Sequence, residues 1–236
     1  MNLPSAVLFD HDGVLVASEP LHWGAWRKMI EELGLPYYEA DIQSRIGKTA
    51  PEILSTYFDL HVPGWNSKEY DIAALCQRKN DHYLVAVKTE LRAYPGVEDG
   101  LKWLRSQGIK TAVVSNAKRR ELVTALDTVA LTSYFDTIVA RDDVGAYKPD
   151  PTPYLFAVGV LLVETSQCVA VEDSPTGLES ALLAKIPTAA VLTNFQKNEV
   201  AQPVPGRPDL KPVWIGPSMK DFFSWLQTLK SGSAIT

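Results

Sequence analysis

The chain has 236 residues, of which 46% are hydrophobic and 22% charged, so it is long enough to bury a sizeable core in one large domain or two unequal ones. A formal net charge of −5, with scattered lysines and arginines, gives no support for binding to nucleic acid or a membrane surface. Its two cysteines form no CxxC motif, and Asp10 and His11 interrupt the first apolar run before it reaches the length of a secretion signal. We expect a cytoplasmic protein that binds neither nucleic acid nor membrane.

Six short apolar runs, rich in Val, Ile, Ala and Phe, predict strands that are buried on both faces. In chain order these runs are Ala6–Phe9, 109–117, 135–140, 168–173, 188–193 and 212–216. Helix-length segments separate or follow the later runs, at 97–107, 118–129, 153–163, 175–184 and 217–230. This alternation predicts an α/β fold with a doubly wound parallel sheet.

A long stretch after the first strand breaks the alternation. Between about residues 16 and 95 there is no convincing buried strand, and the apolar residues of 20–34 recur near helical spacing. Segments 50–58 and 68–91 continue the helical pattern. We therefore predict a core domain of residues 1–16 and 95–236, with a small helical domain of residues 17–94 inserted after the first strand.

Polar residues gather at the carboxyl ends of the predicted strands, where open α/β sheets bind their ligands. The residues that follow the first four strands are Asp10, Asp12, Ser115, Asn116, Lys148, Glu172 and Asp173. Lys148 is predicted to lie in a loop of residues 141–151 after the third strand. Four carboxylates at one edge would repel one another unless a divalent cation neutralised them. Oxygen ligands suit Mg²⁺, while a hydroxyl, an amide and an ammonium group suit phosphate oxygens. The pattern predicts a site for Mg²⁺ and phosphate.

Each of these residues also has an ordinary structural interpretation. Ser115 and Asn116 could cap a helix, Lys148 could be a solvated loop residue, and Glu172 with Asp173 could favour a helix start. The joint pattern is more specific, because four separate strand ends supply matching chemistry.

Four segments together resemble the motifs of the haloacid dehalogenase superfamily, namely DHDGVLVASE, VVSNA, YKPDP and VEDSPTGLESA. The helical insert after the first of them resembles the cap domain of the subclass I phosphatases and of β-phosphoglucomutase-like members. The resemblance covers residues 6 to about 195. It implies a core with a cap, Mg²⁺ as the cofactor and a small phosphate ester as the partner, and we expect a monomer or homodimer.

The resemblance also implies a role for each motif residue. Asp10 would be the nucleophile that forms an aspartyl-phosphate, and Asp12 would act as general acid and base. The residues implied to hold Mg²⁺ are Asp10, Asp12 through its carbonyl, Glu172 and Asp173. The residues implied to hold the phosphoryl group are Ser115, Asn116 and Lys148, the last of which also counts as catalytic.

Two positions depart from the family pattern. His11 stands where a hydrophobic residue is usual, and Ala17 stands where Asp is common. We expect the side chain of His11 to point away from the reacting phosphate, where it could still alter nearby pKa values.

Specificity is expected to come from the insert, which closes over the site in this family. The segment RIGKT resembles the substrate loop of the family's cap. The candidate substrate residues are His22, Arg45, Gly47, Lys48 and Thr49. Trp26 is better interpreted as a core residue of the insert.

Asp12 favours phosphoryl transfer, because superfamily members that lack an acid there do other chemistry. We expect a Mg²⁺-dependent phosphatase acting on a sugar or sugar-alcohol phosphate. The main alternative is a β-phosphoglucomutase-like mutase, in which Arg45 and Lys48 could bind a second phosphate. A receiver-like phosphoaspartate protein or a non-catalytic member is less favoured, since receivers lack a cap and every expected catalytic position is filled.

Overall fold

A six-stranded parallel sheet lies at the centre of the larger part of the computed structural model, which describes residues 2–44, 48–66 and 68–229. The strands are β1 (Ala6–Phe9), β2 (Lys110–Val114), β3 (Thr137–Val139), β4 (Cys168–Glu172), β5 (Thr188–Val191) and β6 (Trp214–Gly216). Their order is β3-β2-β1-β4-β5-β6, so β1 lies between β2 and β4. The predicted fold class is confirmed.

Helices surround the sheet and fill the segment after β1. They are α1 (Glu19–Glu32), α2 (Glu39–Gln43), α3 (Ala50–His61), α4 (Ile72–Glu90), α5 (Val97–Ser106), α6 (Arg119–Thr128), α7 (Arg141–Val144), α8 (Thr152–Leu161), α9 (Pro175–Leu183), α10 (Lys197–Val200) and α11 (Met219–Gln227). Among the described residues, no helix combines the length and the apolarity that a bilayer crossing requires.

Alternate residues of β1 show that both faces of the sheet are covered. Leu8 belongs to a buried cluster with Tyr154 and Ala157 of α8. Phe9 points to the other face, where its ring lies 6.3 Å from that of Phe222 and 6.1 Å from that of Phe223 on α11. Because neighbouring residues of a strand face opposite sides, this double burial explains the unbroken apolar run that precedes Asp10.

The chain divides into two compact units, Met1–Ala17 with Arg92–Thr236, and Ser18–Leu91. The sequence prediction placed these boundaries after residue 16 and before residue 95. The smaller unit contains α1 to α4, and its core includes Trp26, which is 3% exposed. Its role as a cap remains a prediction.

The loop predicted between the third strand and Lys148 is partly wrong, because its first residues form helix α7 (Arg141–Val144). The carboxylate of Asp143 accepts a hydrogen bond from the N–H of Ala140 at 2.7 Å and pairs with Arg119, which closes a single helical turn. Helix α4 begins at Ile72, later than predicted, because Asp71 caps it by accepting from the N–H of Ala74.

Candidate active site

The first acid of the site stands where β1 ends. The N–H of Asp10 still donates to the carbonyl of Val171 on β4, at 2.9 Å. A tight turn follows, in which the carbonyl of His11 accepts from the N–H groups of Leu15 and Val16. The sheet therefore fixes the backbone of Asp10, and the turn carries the chain away from the sheet edge.

Lys148 joins two of the predicted acids. Its Nζ lies 2.6 Å from Oδ1 of Asp10 and 2.5 Å from Oε1 of Glu172. All three residues are buried, with exposed fractions of 5%, 9% and 0% respectively. An ammonium group so placed compensates two carboxylates that are largely shielded from water, and this explains how the acids at the end of the buried strand are tolerated.

Burial and mutual charge set the ionisation of this group. Burial raises the pKa of Asp10, and Lys148 opposes that rise without cancelling it. The pKa of Glu172 is raised from 4.5 to about 7, mainly by burial and to a smaller extent by the negative charge of Asp10. Burial alone would lower the pKa of Lys148, but the two carboxylates raise it above its ordinary value, so the amine stays protonated.

Three of the acids fit a divalent cation. Asp10, Glu172 and Asp173 each offer one oxygen, and these oxygens lie within 4.8 Å of one another. Oε2 of Glu172 is buried and accepts no hydrogen bond from any described residue. A buried carboxylate oxygen without a donor is costly, and hard cations such as Mg²⁺ prefer such oxygens. The donor set and the orphaned oxygen both suit Mg²⁺.

Gly13 lets the turn after β1 lie against Asp173. Its φ is +76°, and a Cβ there would lie 2.0 Å from Oδ2 of Asp173. That oxygen accepts a hydrogen bond from Nδ2 of Asn194 at 2.7 Å, and the hydroxyl of Thr193 donates to the carbonyl of Gly13. Thr193 and Asn194 were not predicted, although their position at the end of the fifth apolar run and directly after it was a signal.

Asn116 holds the loop that carries Lys148. Its Oδ1 accepts from the N–H of Lys148 at 2.8 Å, and its Nδ2 donates to the carbonyl of Lys148 at 3.2 Å. The hydroxyl of Ser115 accepts from the N–H of Ala117 at 3.0 Å. Both side chains therefore have structural contacts at the sheet edge, and phosphate binding by them remains a prediction.

The second acid of the first motif lies next to the unusual histidine. The side chain of Asp12 is 31% exposed, and its Oδ1 lies 3.1 Å from Nδ1 of His11, which is 1% exposed. The imidazole thus neighbours the predicted acid–base group. The expectation that His11 points away from a bound phosphate stays a prediction.

The predicted substrate residues belong to the smaller unit. Nδ1 of His22 lies 2.8 Å from Nζ of Lys79, and its ring stacks on Tyr83 with centroids 3.9 Å apart. Lys79 was not predicted, and it is buried. The N–H and the hydroxyl of Thr49 both donate to the carboxylate of Glu52, which closes the first turn of α3.

Three further candidate substrate residues of the smaller unit precede α3 in the sequence. Lys48 is exposed. Arg45 and Gly47 lie outside the described residues. Substrate contact by these residues and by His22 and Thr49 remains a prediction.

We expect Mg²⁺ to raise the melting temperature more at high pH than at low pH. The pKa of Glu172 is about 7 in the folded, metal-free chain, against 4.5 in the unfolded chain. Between these two pH values the folded chain therefore binds a proton that the unfolded chain does not. The free energy of unfolding contributed by this group therefore falls as pH rises through that window. A metal needs the ionised carboxylate and must displace that proton below about pH 7.

Thermal unfolding with Mg²⁺ and with EDTA, from about pH 5.5 to about pH 8, measures this difference. A stabilisation by Mg²⁺ that is equal at both ends, at saturating metal, would contradict the coupling.

Comparison with known proteins identifies the family. Residues 7–191 match the model of the family described as haloacid dehalogenase-like hydrolase. A phosphorylated carbohydrates phosphatase from Thermotoga maritima is 34% identical over 186 residues, which cover 77% of this chain and 82% of the relative. A phosphoglycolate phosphatase from Cupriavidus necator is 33% identical, covering 81% and 82% of the two chains.

A solved structure gives the same result for the fold. It comes from Thermotoga maritima and is provisionally described as a β-phosphoglucomutase. It superposes with a TM-score of 0.78 at 27% identity and covers 97% of this chain and 99% of that one. The resemblance seen in the four motifs is thus confirmed over most of the length, and the chain belongs to the haloacid dehalogenase-like hydrolases, as a phosphatase or phosphotransferase of that family.

Proposed function

We propose that the protein is a Mg²⁺-dependent phosphatase that hydrolyses a small phosphorylated metabolite, a sugar or sugar-alcohol phosphate, through an aspartyl-phosphate on Asp10. The observation that carries the proposal is the buried contact of Asp10 with Lys148, beside Glu172 and Asp173. The names of the relatives support the reaction class, because they include a phosphatase of phosphorylated carbohydrates.

Asp10 suits the role of nucleophile. Its carboxylate is buried and held by Lys148, so it has few hydration waters to lose before it attacks. In the first step a carboxylate oxygen of Asp10 bonds to phosphorus while the bond from phosphorus to the alkoxide breaks. Lys148 offsets part of the negative charge that would otherwise keep two anions apart.

Asp12 would move the protons. It gives a proton to the departing alkoxide, and it then takes a proton from the water that attacks the phosphorus of the aspartyl-phosphate. That attack releases inorganic phosphate and frees the carboxylate of Asp10. The greater exposure of Asp12 relative to Asp10 suits a group that exchanges protons with water.

The residues that would hold Mg²⁺ are Asp10, Asp12 through its carbonyl, Glu172 and Asp173. When bound, the ion would supply positive charge at the phosphoryl oxygens.

A mutase that returns the phosphoryl group to a sugar hydroxyl is the second candidate. It is favoured by the similarity to the structure described as a β-phosphoglucomutase. Incubation with β-glucose 1-phosphate, Mg²⁺ and a trace of glucose 1,6-bisphosphate separates the two reactions. Phosphate release without an isomer is expected, and stoichiometric glucose 6-phosphate with little free phosphate would favour the mutase.

A panel of phosphorylated metabolites, assayed for released phosphate, tests the proposal. We expect turnover with Mg²⁺, none with EDTA, and little with Ca²⁺, which prefers larger and looser coordination. Asp173→Asn should raise the Mg²⁺ concentration required for half-maximal rate, whereas Asp99→Asn, a matched change at an exposed acid, should not. Full activity in metal-free buffer would refute the metal dependence.

Asp12→Asn should convert the enzyme into one that releases a single burst of product from p-nitrophenyl phosphate. Nitrophenolate is a good leaving group and needs no proton, so phosphorylation of Asp10 continues, while hydrolysis of the aspartyl-phosphate loses its general base. Stopped-flow absorbance should show a burst close to the enzyme concentration, followed by a rate about 10²–10⁴-fold below wild type. Steady turnover near the wild-type rate would contradict the role of Asp12.

The cytoplasmic location, the absence of nucleic-acid and membrane partners, and the state as monomer or homodimer remain predictions from the sequence.

A further inference from the structure

Tyr154 contacts the predicted active-site residues, although it lies outside the four motif segments described above. It stands on α8 and is fully buried, and its hydroxyl donates to Oε1 of Glu172 at 2.6 Å. The same oxygen lies 2.5 Å from Nζ of Lys148. The ring of Tyr154 lies under that ammonium group, with 5.2 Å between Nζ and the centroid.

The hydrogen bonds on Glu172 are unevenly divided between its two oxygens. Oε1 receives both donors, while Oε2 is buried and receives none from the described residues. A buried tyrosine hydroxyl needs an acceptor. Here the hydroxyl donates to a buried carboxylate that already accepts from Lys148, and the second hydrogen bond orients that carboxylate.

A close contact on another side completes the orientation. An ideal Cβ on Gly177 of α9 would lie 1.9 Å from Oε2, 2.1 Å from Cδ and 2.2 Å from Oε1 of Glu172. The carboxylate therefore lies flat against the main chain of Gly177. With that face blocked and two donors on Oε1, rotation of the carboxylate would break a hydrogen bond or produce a collision.

We propose that Tyr154 is a positioning residue, which holds Glu172 so that Oε2 stays available to Mg²⁺ or to water bound to it. The inference rests on the proposed function, because that function supplies Mg²⁺ as the ion of this site. Side chains that hydrogen-bond to a metal-ligating residue without touching the metal typically contribute 10–100-fold in metal affinity, or about 1.4 kcal/mol for each factor of ten.

Tyr154→Phe tests the inference, since it removes the hydroxyl and keeps the ring in the core. We expect the Kd for Mg²⁺, measured by isothermal titration calorimetry, to rise by about tenfold. The maximal rate should recover at saturating Mg²⁺, because Lys148 and Asp10 are unchanged. Tyr134→Phe is the matched control, as its hydroxyl lies 3.3 Å from the exposed Glu98, and its Kd should equal that of wild type.

A Tyr154→Phe protein that binds Mg²⁺ as tightly as wild type would overturn the inference, whatever its melting temperature. A purely structural tyrosine would lower the melting temperature in EDTA and leave that Kd unchanged. The binding measurement is independent of turnover. Wild-type protein that binds Mg²⁺ but releases no phosphate would refute the proposed function, and the comparison of Kd values would still test the positioning role of Tyr154. Wild-type protein that binds no Mg²⁺ would overturn both.

Discussion

Asp10→Asn is expected to abolish turnover while the protein stays folded. The amide has the shape of the carboxylate and can still accept a hydrogen bond from Lys148, but it has neither the charge nor the nucleophilicity needed to attack phosphorus. Loss of the nucleophile of a serine protease lowers kcat by about 10⁶-fold, and we expect a fall of at least about 10⁴-fold here. Phosphate release under saturating Mg²⁺ measures this effect.

The same variant should keep its stability in EDTA. Asparagine removes a buried carboxylate whose charge raises the pKa of Glu172, so the metal-free fold loses a repulsion together with an attraction to Lys148. We expect the additional stabilisation by Mg²⁺ to shrink, since Asp10 is one of the proposed ligands. Asp99→Asn should behave as wild type in both assays, and turnover of Asp10→Asn within about tenfold of wild type would refute Asp10 as the nucleophile.

Lys148→Met should produce the second largest loss of activity. Methionine fills a similar volume but leaves Asp10 and Glu172 together without a cation. Removing one partner of a buried ion pair costs about 3–5 kcal/mol, part of which the carboxyls recover by binding a proton. We expect kcat to fall by at least about 10²–10³-fold, because charge at the phosphoryl group is no longer offset.

The pH profile of this variant gives a more specific test. Lys148 lowers the pKa of Asp10, so its removal raises that pKa further and moves the acidic limb of the kcat/KM profile to higher pH. Lys211→Met, at an exposed lysine, is the control and should leave the profile unchanged. An acidic limb at the wild-type position in Lys148→Met would show that Lys148 does not set the ionisation of Asp10.

The sequence predicted the acids and the lysine because each follows a strand of a parallel sheet. The carboxyl ends of such strands meet at one edge, so Asp10, Glu172 and Asp173 had to lie close together once the strands were recognised. The structure adds the contacts of Lys148 with two of them, which depend on the path of a loop. Such distances cannot be read from spacing along the chain.

Tyr154 and Asn194 were missed for a physical reason. A tyrosine six residues after Lys148, within an apolar helix, has the pattern of a core residue, and its hydroxyl meets Glu172 only through the rotation of α8 about its own axis. Asn194 follows the fifth strand, as the acids follow theirs, but an amide in a loop is common, and its contact with Asp173 depends on the positions of the two loops that carry these residues. Side-chain direction sets these contacts.

The contacts of Asn116 and the conformation of the segment before Lys148 were only partly predictable. Strand-end position predicted phosphate binding by Asn116, while the structure shows its amide holding the main chain of Lys148. Helix α7 was predicted as a loop because one turn of helix has no apolar period, and its formation depends on the side chain of Asp143.

Chemical trapping of the phosphoenzyme tests the central claim most directly. Asp12→Asn protein would be mixed with p-nitrophenyl phosphate and Mg²⁺, quenched and treated with borohydride, which reduces an acyl phosphate to an alcohol but leaves a free carboxylate unchanged. Peptide mass spectrometry then locates the alcohol. We predict reduction at Asp10 in the presence of Mg²⁺ and none with EDTA. Reduction at another residue, or a burst of nitrophenolate with no reduction at Asp10, would contradict the account.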